Sequence, residues 1–187
     1  MKKYTITFNK NTGNKTLPEI AGSIISLIII LILWLFAPQI TSAQNIQNYD
    51  EVLKDLNSVK SQSSLASEAV HLKSLMFELQ PSLYLHSQTE KQDNKTLPVC
   101  LNTDNESIAK LYEANPLFSE VELITIYLKS QKDLDFILEV SRLLSFKKLR
   151  YIQFLCGFEC VADLIRPHYK SDSGSGIVVF YRISIPN

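Results

Sequence analysis

The chain reads as an α/β protein, a pair of helices followed by strand–helix units around a mainly parallel sheet, all behind an N-terminal export leader. Three observations predict this. Four apolar runs begin at Leu97 (LPVCL), Leu123 (LITIYL), Leu149 (LRYIQFL) and Ile177 (IVVFYRISI), spaced 26, 26 and 28 residues apart. Helical patterns fill the gaps between the first three, the alternation expected of parallel strands joined by crossovers. Glycine is scarce, with five in 187 residues, which disfavours a meander of tight hairpins.

The leader occupies residues 1–43. Ile20 to Ala37 is an uncharged apolar run of 18 residues, preceded by Lys2, Lys3, Lys10 and Lys15 and followed by Pro38 and Thr41-Ser42-Ala43. Basic segment, apolar core, breaker and small-residue site form the order of an export signal. Two readings compete. As a helix the run spans about 27 Å, close to a bilayer's hydrocarbon core, which suits an anchor. Pro38 ends the helix, small residues follow, and no Lys or Arg appears before Lys54, which suits cleavage after Ala43. Cleavage is the favoured reading. Either way the positive charge stays inside and residues 44–187 lie outside the cytoplasm, periplasmic or extracellular. If the leader is kept, residues 20–37 hold the protein in the membrane. No cysteine follows the run before Cys100, so a lipid-modified start is not expected.

Residues 44–187 suffice for one domain with a real core. Its helical part is expected over 46–80. Asn48 and Glu51 have capping-box spacing, and Ile46, Tyr49, Leu53 and Leu56 fall on one stripe, with Val52 and Val59 beside it. After the polar SQSS at 61–64, a second segment aligns Leu72, Leu75, Met76 and Leu79 and closes at Pro81. Met and Leu at this spacing face a core far more often than a ligand. Residues 86–96 are polar and read as a loop.

The α/β part is expected over 97–187. Near-continuous apolar strands such as LITIYL need cover on both faces. Thr103 with Glu106, and Ser130 with Asp133, have capping-box spacing ahead of the apolar stripes Ile108/Leu111/Tyr112 and Leu134/Ile137/Leu138. Residues 106–123 laid over 132–149 match at Glu113/Glu139, Leu117/Leu143, Ser119/Ser145 and Leu123/Leu149. Apolar character is kept at Phe118/Leu144. This is a weak internal repeat of one strand and one helix.

Phe146-x-x-Leu149-x-Tyr151 resembles the Leu-x-x-Leu-x-Leu core of the leucine-rich-repeat class. The resemblance covers residues 97–185 at most. It departs from the pattern where Asn or Cys should satisfy the turn: Phe154 stands there, and Leu128 in the preceding unit. The resemblance implies a short solenoid with an exposed sheet face that binds another protein without catalysis. A compact open α/β sandwich built from the same units is the other reading.

The chemistry-bearing residues are few. Four of the 19 basic and one of the 19 acidic residues lie in the leader, leaving 15 against 18 and a net charge near −3. That mild acidity argues against nucleic acid, whose binding rests on phosphate neutralisation. No glycine-rich phosphate cradle is present. Cys100, Cys156 and Cys160 predict an oxidised pair in an exported protein, Cys156–Cys160 or one of them with Cys100. The C-x-x-x-C spacing lacks the further ligands of a zinc site and the C-x-x-C of redox enzymes. His71, His86 and His168 show no i, i+4 pair.

His168 with Asp172 and Ser173 (or Ser175) is the one nearby base, acid and nucleophile set, but it lacks a G-x-S-x-G context, and SDSGSG at 171–176 reads first as a turn. Asp133 and Asp135 suit a helix start. The triplets Asn94-Lys95-Thr96 and Asn105-Glu106-Ser107 match the glycosylation pattern, a common chance match. No cofactor, metal or catalytic set is expected. The function expected is a non-catalytic, exported protein-interaction module. The alternatives are a small exported hydrolase around His168 and a membrane-anchored accessory subunit.

Overall fold

The computed structural model describes residues 46–58, 63–87, 89–92, 96–171 and 175–185; the leader, with its signal-or-anchor expectation, lies outside them. The chain forms a mixed α/β structure on a seven-stranded, mostly parallel sheet. A short strand β1 (Gln47–Asn48) leads into α1 (Tyr49–Ser58). The cap expected at Asn48 is present: its N–H donates to Glu51 Oε2 at 3.1 Å, while its side chain accepts from the Asp50 N–H at 3.0 Å. Ile46, Tyr49 and Val52 are buried, with Leu53 and Leu56 packed at their margin. Helix α2 (Ser63–Phe77) buries Ala69, Leu72 and Leu75. It ends before Leu79, which is fully exposed, so the predicted stripe runs one residue type too far.

Next come β2 (Ser82–His86) and β3 (Thr89–Gln92), an antiparallel pair where a polar loop was expected over 86–96. Leu83 and Leu85 are both buried while Tyr84 and His86 alternate to the other face, so β2 is a half-buried strand. The parallel strands β4 (Cys100–Asp104), β5 (Leu123–Leu128), β7 (Tyr151–Cys156) and β9 (Val178–Ile183) follow β2 side by side in chain order. The full order is β1-β9-β7-β5-β4-β2-β3. A separate parallel pair joins β6 (Leu138–Glu139) to β8 (Tyr169–Lys170).

The connections differ from expectation. They are 3₁₀ turns over Asn105–Tyr112, Pro116–Glu120, Gln131–Leu134, Val140–Arg142 and Arg166–His168, with one short helix α3 (Ala162–Ile165) among the described residues. Pro116 and the short apolar segments between strands favour such brief, tight turns over a full α-helix. The expected Thr103/Glu106 cap is replaced by Asp104, whose Oδ1 accepts from the Ser107 N–H at 2.9 Å. The Ser130/Asp133 pair holds, with Asp133 Oδ2 accepting from the N–H groups of Ser130 and Lys129.

Two cores sandwich the sheet. On one face Leu83, Leu85, Leu101, Ile124, Ile126, Ile152, Phe154 and Val179 meet Ile108, Leu111, Phe118, Leu134, Leu143 and Phe146 from the 3₁₀ connections. On the other, Cys100, Leu123, Tyr151 and Phe180 meet Tyr49, Val52, Leu72 and Leu75 from α1 and α2. Polar links reinforce that second contact. Glu68 pairs with Arg150 and accepts from Tyr151 OH at 3.1 Å, and His71 Nε2 lies 2.7 Å from Glu122 Oε2. Burial, then the nearby Glu68 charge, pushes the Tyr151 hydroxyl up to about 12.

The register corrects the repeat. Leu123 lies opposite Tyr151, 28 residues on, rather than Leu149. Phe118 stacks on Phe146, also 28 on, with centroids 4.6 Å apart, rather than matching Leu144. Tyr151 therefore faces the helices. The inward pairs are Leu83-x-Leu85, Ile124-x-Ile126 and Ile152-x-Phe154, one residue out of phase with the sequence motif. A one-residue slip exchanges every face of a strand, which is why a periodic motif alone misplaced it.

All three cysteines are buried, as free thiols. Cys100 faces α2, where its Sγ lies 3.4 Å from the Leu75 carbonyl. Cys156 lies on the opposite face, two strands across and five residues further along, about 10 Å and about 17 Å respectively. A bridge needs Cα atoms within about 7 Å, so Cys100 cannot reach it. Cys156 and Cys160 touch: with Cys156 as donor, their hydrogen bond and burial hold its thiol well above the usual range, and the same bond lowers that of Cys160. Burial, then the Glu122 charge, raises Cys100 to about 11. Protein recovered from an oxidising compartment is expected to carry one bond, Cys156–Cys160, and one free thiol, Cys100. Thiol titration under denaturing, non-reducing conditions checks this, and a bond to Cys100 would contradict the geometry.

Candidate functional site: the open half of the sheet

The helical pair covers only one end of its sheet face. The strands alternate, so three rows of side chains run across that face. The first, Ser82, Cys100, Leu123, Tyr151 and Val178, lies at the strands' N-terminal ends, where α1 and α2 bury Cys100, Leu123 and Tyr151. The second is Lys91, Tyr84, Asn102, Thr125, Gln153 and Phe180, and the third Thr89, His86, Asp104, Tyr127, Leu155 and Arg182. In the third row Thr89, His86 and Tyr127 are exposed, and Asp104, Leu155 and Arg182 half-buried. Six strands at about 4.8 Å spacing make this strip about 24 Å wide.

Its chemistry is mixed. Tyr84, Tyr127 and Leu155 supply apolar and aromatic area, and half-buried Asn102 and Thr125 supply hydrogen-bonding groups, while Gln153 and Phe180 of the second row are buried. Thr125 Oγ1 donates to Gln153 Oε1 at 3.3 Å. At one end the Arg182 guanidinium lies 5.1 Å above the Phe77 ring, which itself meets Tyr49 edge-on at 6.0 Å. At the other end a cavity of about 440 Å³ is lined by Tyr84, His86, Thr89 and Lys91.

Asp104 organises that end. Its Oδ2 accepts from the Ser87 N–H at 2.9 Å and lies 3.3 Å from His86 Nδ1, while its Oδ1 takes Ser107. Burial would raise its carboxyl, but the bonds from Ser87, Ser107 and His86 outweigh it and hold the group below the usual carboxylate range. Ser87 sits at φ 45°, a left-handed turn unusual for a residue with a side chain, and its bond to Asp104 fixes it there.

The residues singled out in the sequence fall elsewhere. His168 Nδ1 donates to the Phe136 carbonyl at 3.1 Å, and its ring packs 5.9 Å from that of Phe136. Asp172 and Ser173 lie outside the described residues, as does Asn94. Ser175 pairs with Ser171 at 3.1 Å. His71 ties α2 to the strand ends through Glu122. Asp133 closes the turn after β5, and Asp135 is exposed at the end of the next. Asn105 opens a 3₁₀ turn. Among the described residues, no three His, Cys, Asp or Glu side chains come together to hold a metal ion, and no helix is long and apolar enough to cross a membrane.

Sequence reading missed His86 with Asp104. The signal was the alternation Leu83-Tyr84-Leu85-His86, a strand pattern hidden by its polar neighbours. No known family, curated protein or solved structure shows significant similarity to the chain.

Proposed function

We propose that the protein is an exported, non-catalytic interaction module that binds a protein partner on the open half of its sheet. The observation that carries the reading is the 24 Å strip itself (about 4.8 Å per strand), where Tyr84, Tyr127 and Leu155 stand among Asn102, Thr125 and Arg182. Aromatic anchors with adaptable polar groups around them make an interface rather than a reaction centre.

The finer reading of the fold is a short solenoid resembling the leucine-rich-repeat class. It is supported by strands β2, β4, β5, β7 and β9 adjacent in chain order with the 3₁₀ turns packed on one face. The turn groups that the missing Asn or Cys would satisfy have other partners: Asp104 takes the N–H groups of Ser87 and Ser107, and Asp133 those of Lys129 and Ser130. The export reading rests on the leader. Cleavage after Ala43 releases the domain outside the cytoplasm, and an uncleaved leader makes it an anchored accessory subunit.

One experiment tests location and surface together. A photo-reactive residue is placed at Tyr127 in the full chain, and at exposed Lys132 beyond the strip as a control. Cells are irradiated, fractionated, and the mature N-terminus is sequenced. A discrete adduct from Tyr127 alone, on protein beginning at Gln44 in the exported fraction, is expected. Equal adducts from both positions, or none from Tyr127, would overturn the assignment of the face.

A further inference from the structure

The cavity at the β2–β3 end of the strip has a charge pattern of its own. Among the described residues that line it, Lys91 is a fixed cation and His86 a second nitrogen base, and none is a carboxylate. Lys91 forms no ion pair among the described residues. Glu90, the nearest acidic neighbour in sequence, pairs opposite Leu85 and so points to the other face. Asp104, beside His86 on the same face, engages its Nδ1 from the β4 side, which orients the ring and leaves Nε2 as the nitrogen for a ligand. The Tyr84 ring lies 6.3 Å from that of His86, tilted by 30°, a flat apolar wall beside the two bases.

We propose that this cavity binds the carboxylate of an acidic side chain, aspartate or glutamate, on the partner that lies across the open strip. The inference rests on that strip being the partner surface. Lys91 supplies the charge and a hydrogen bond, the protonated form of His86 donates a second from Nε2, and Tyr84 covers the methylene stem. A single negative charge matches this lining better than two. The ionised Asp104 beside His86 offsets part of the site's positive potential and repels a dianion such as phosphate more strongly. A neutral amide would leave Lys91 unpaired on burial.

The test is an NMR titration of the full chain in detergent micelles with N-acetylglutamic acid α-amide, whose only charge is the side-chain carboxylate. N-acetylglutamine amide is the uncharged control, and inorganic phosphate the dianion. Saturable shifts at the His86 ring and the Lys91 ammonium are expected with the carboxylate alone. Lys91→Met should weaken binding about ten-fold or more, as loss of a charged hydrogen bond does, and Lys132→Met should not. Equal response to the glutamine amide, tighter binding of phosphate, no saturable shift, or indifference to Lys91→Met would each overturn it. The titration contains no partner, so its failure leaves the Tyr127 adduct standing, whereas loss of that adduct removes the strip itself.

Discussion

Phe154→Ala is expected to lower the unfolding free energy by about 3–5 kcal/mol, the range for deleting a fully buried ring. Phe154 is completely buried between β5, β9 and the turn side of the sheet, with its ring stacked 6.3 Å from Phe136. Its chain neighbour Leu155 points to the open strip, so Leu155→Ala should cost less than about 1 kcal/mol, as for a partly exposed site. The contrast tests the strand's phase directly. The sequence motif Leu149-x-Tyr151 puts odd-numbered residues inward, which would make Leu155 the costly position and Phe154 the mild one. Urea unfolding followed by far-UV circular dichroism measures both; the one tryptophan, Trp34, lies in the leader and is no probe of the domain. A folded domain has about 5–15 kcal/mol in hand, so Phe154→Ala should also reduce the yield of native protein. Equal costs at the two positions would mean that the face now described as open is covered.

The parts legible in the sequence were those governed by burial. The apolar run LITIYL announced a strand, and Ile124, Ile126 and Leu128 are buried as it required, but its other face is covered only at Leu123, with Tyr127 exposed. The stripe of Tyr49 and Val52 likewise announced a helix with one buried side. What escaped was set by contacts distant in the chain. The pairing of Leu123 with Tyr151 depends on the lengths of intervening turns, and 3₁₀ turns, rising more steeply per residue than an α-helix, change those lengths without changing the apolar pattern. β2 and β3 escaped for a related reason. Thr89-Glu90-Lys91-Gln92 has no apolar face, and only its ladder with β2 makes it a strand. The candidate strip was illegible for the same cause, since it joins Lys91, His86, Tyr127 and Arg182 through register. Asp104 was read past in favour of Thr103 as the cap, because both side chains can cap and only the fold decides which one faces the turn.

Asp104→Ala should cost about 2–4 kcal/mol. It removes a turn cap and leaves the Ser87 and Ser107 N–H groups without their charged acceptor. The hairpin should loosen first, because Ser87 is held in its left-handed conformation by that bond. Faster amide exchange at Ser87 and Ser107, with exchange at Ile152 rising only by the global loss, would mark this local effect. The pH dependence follows from the direction of the shift. The folded carboxyl titrates below its unfolded value of about 3.9, so the unfolded chain binds the proton more readily. The stabilisation from ionised Asp104 is therefore complete above that unfolded value and is lost as pH falls through the lowered folded one. The advantage of the natural protein over Asp104→Asn should be constant from pH 7 to about 5 and shrink below about 4, in urea unfolding at each pH. An advantage that persists undiminished at the lowest pH would show that shape rather than charge holds the turn. It would also remove the charge beside His86 that orients its ring toward a ligand.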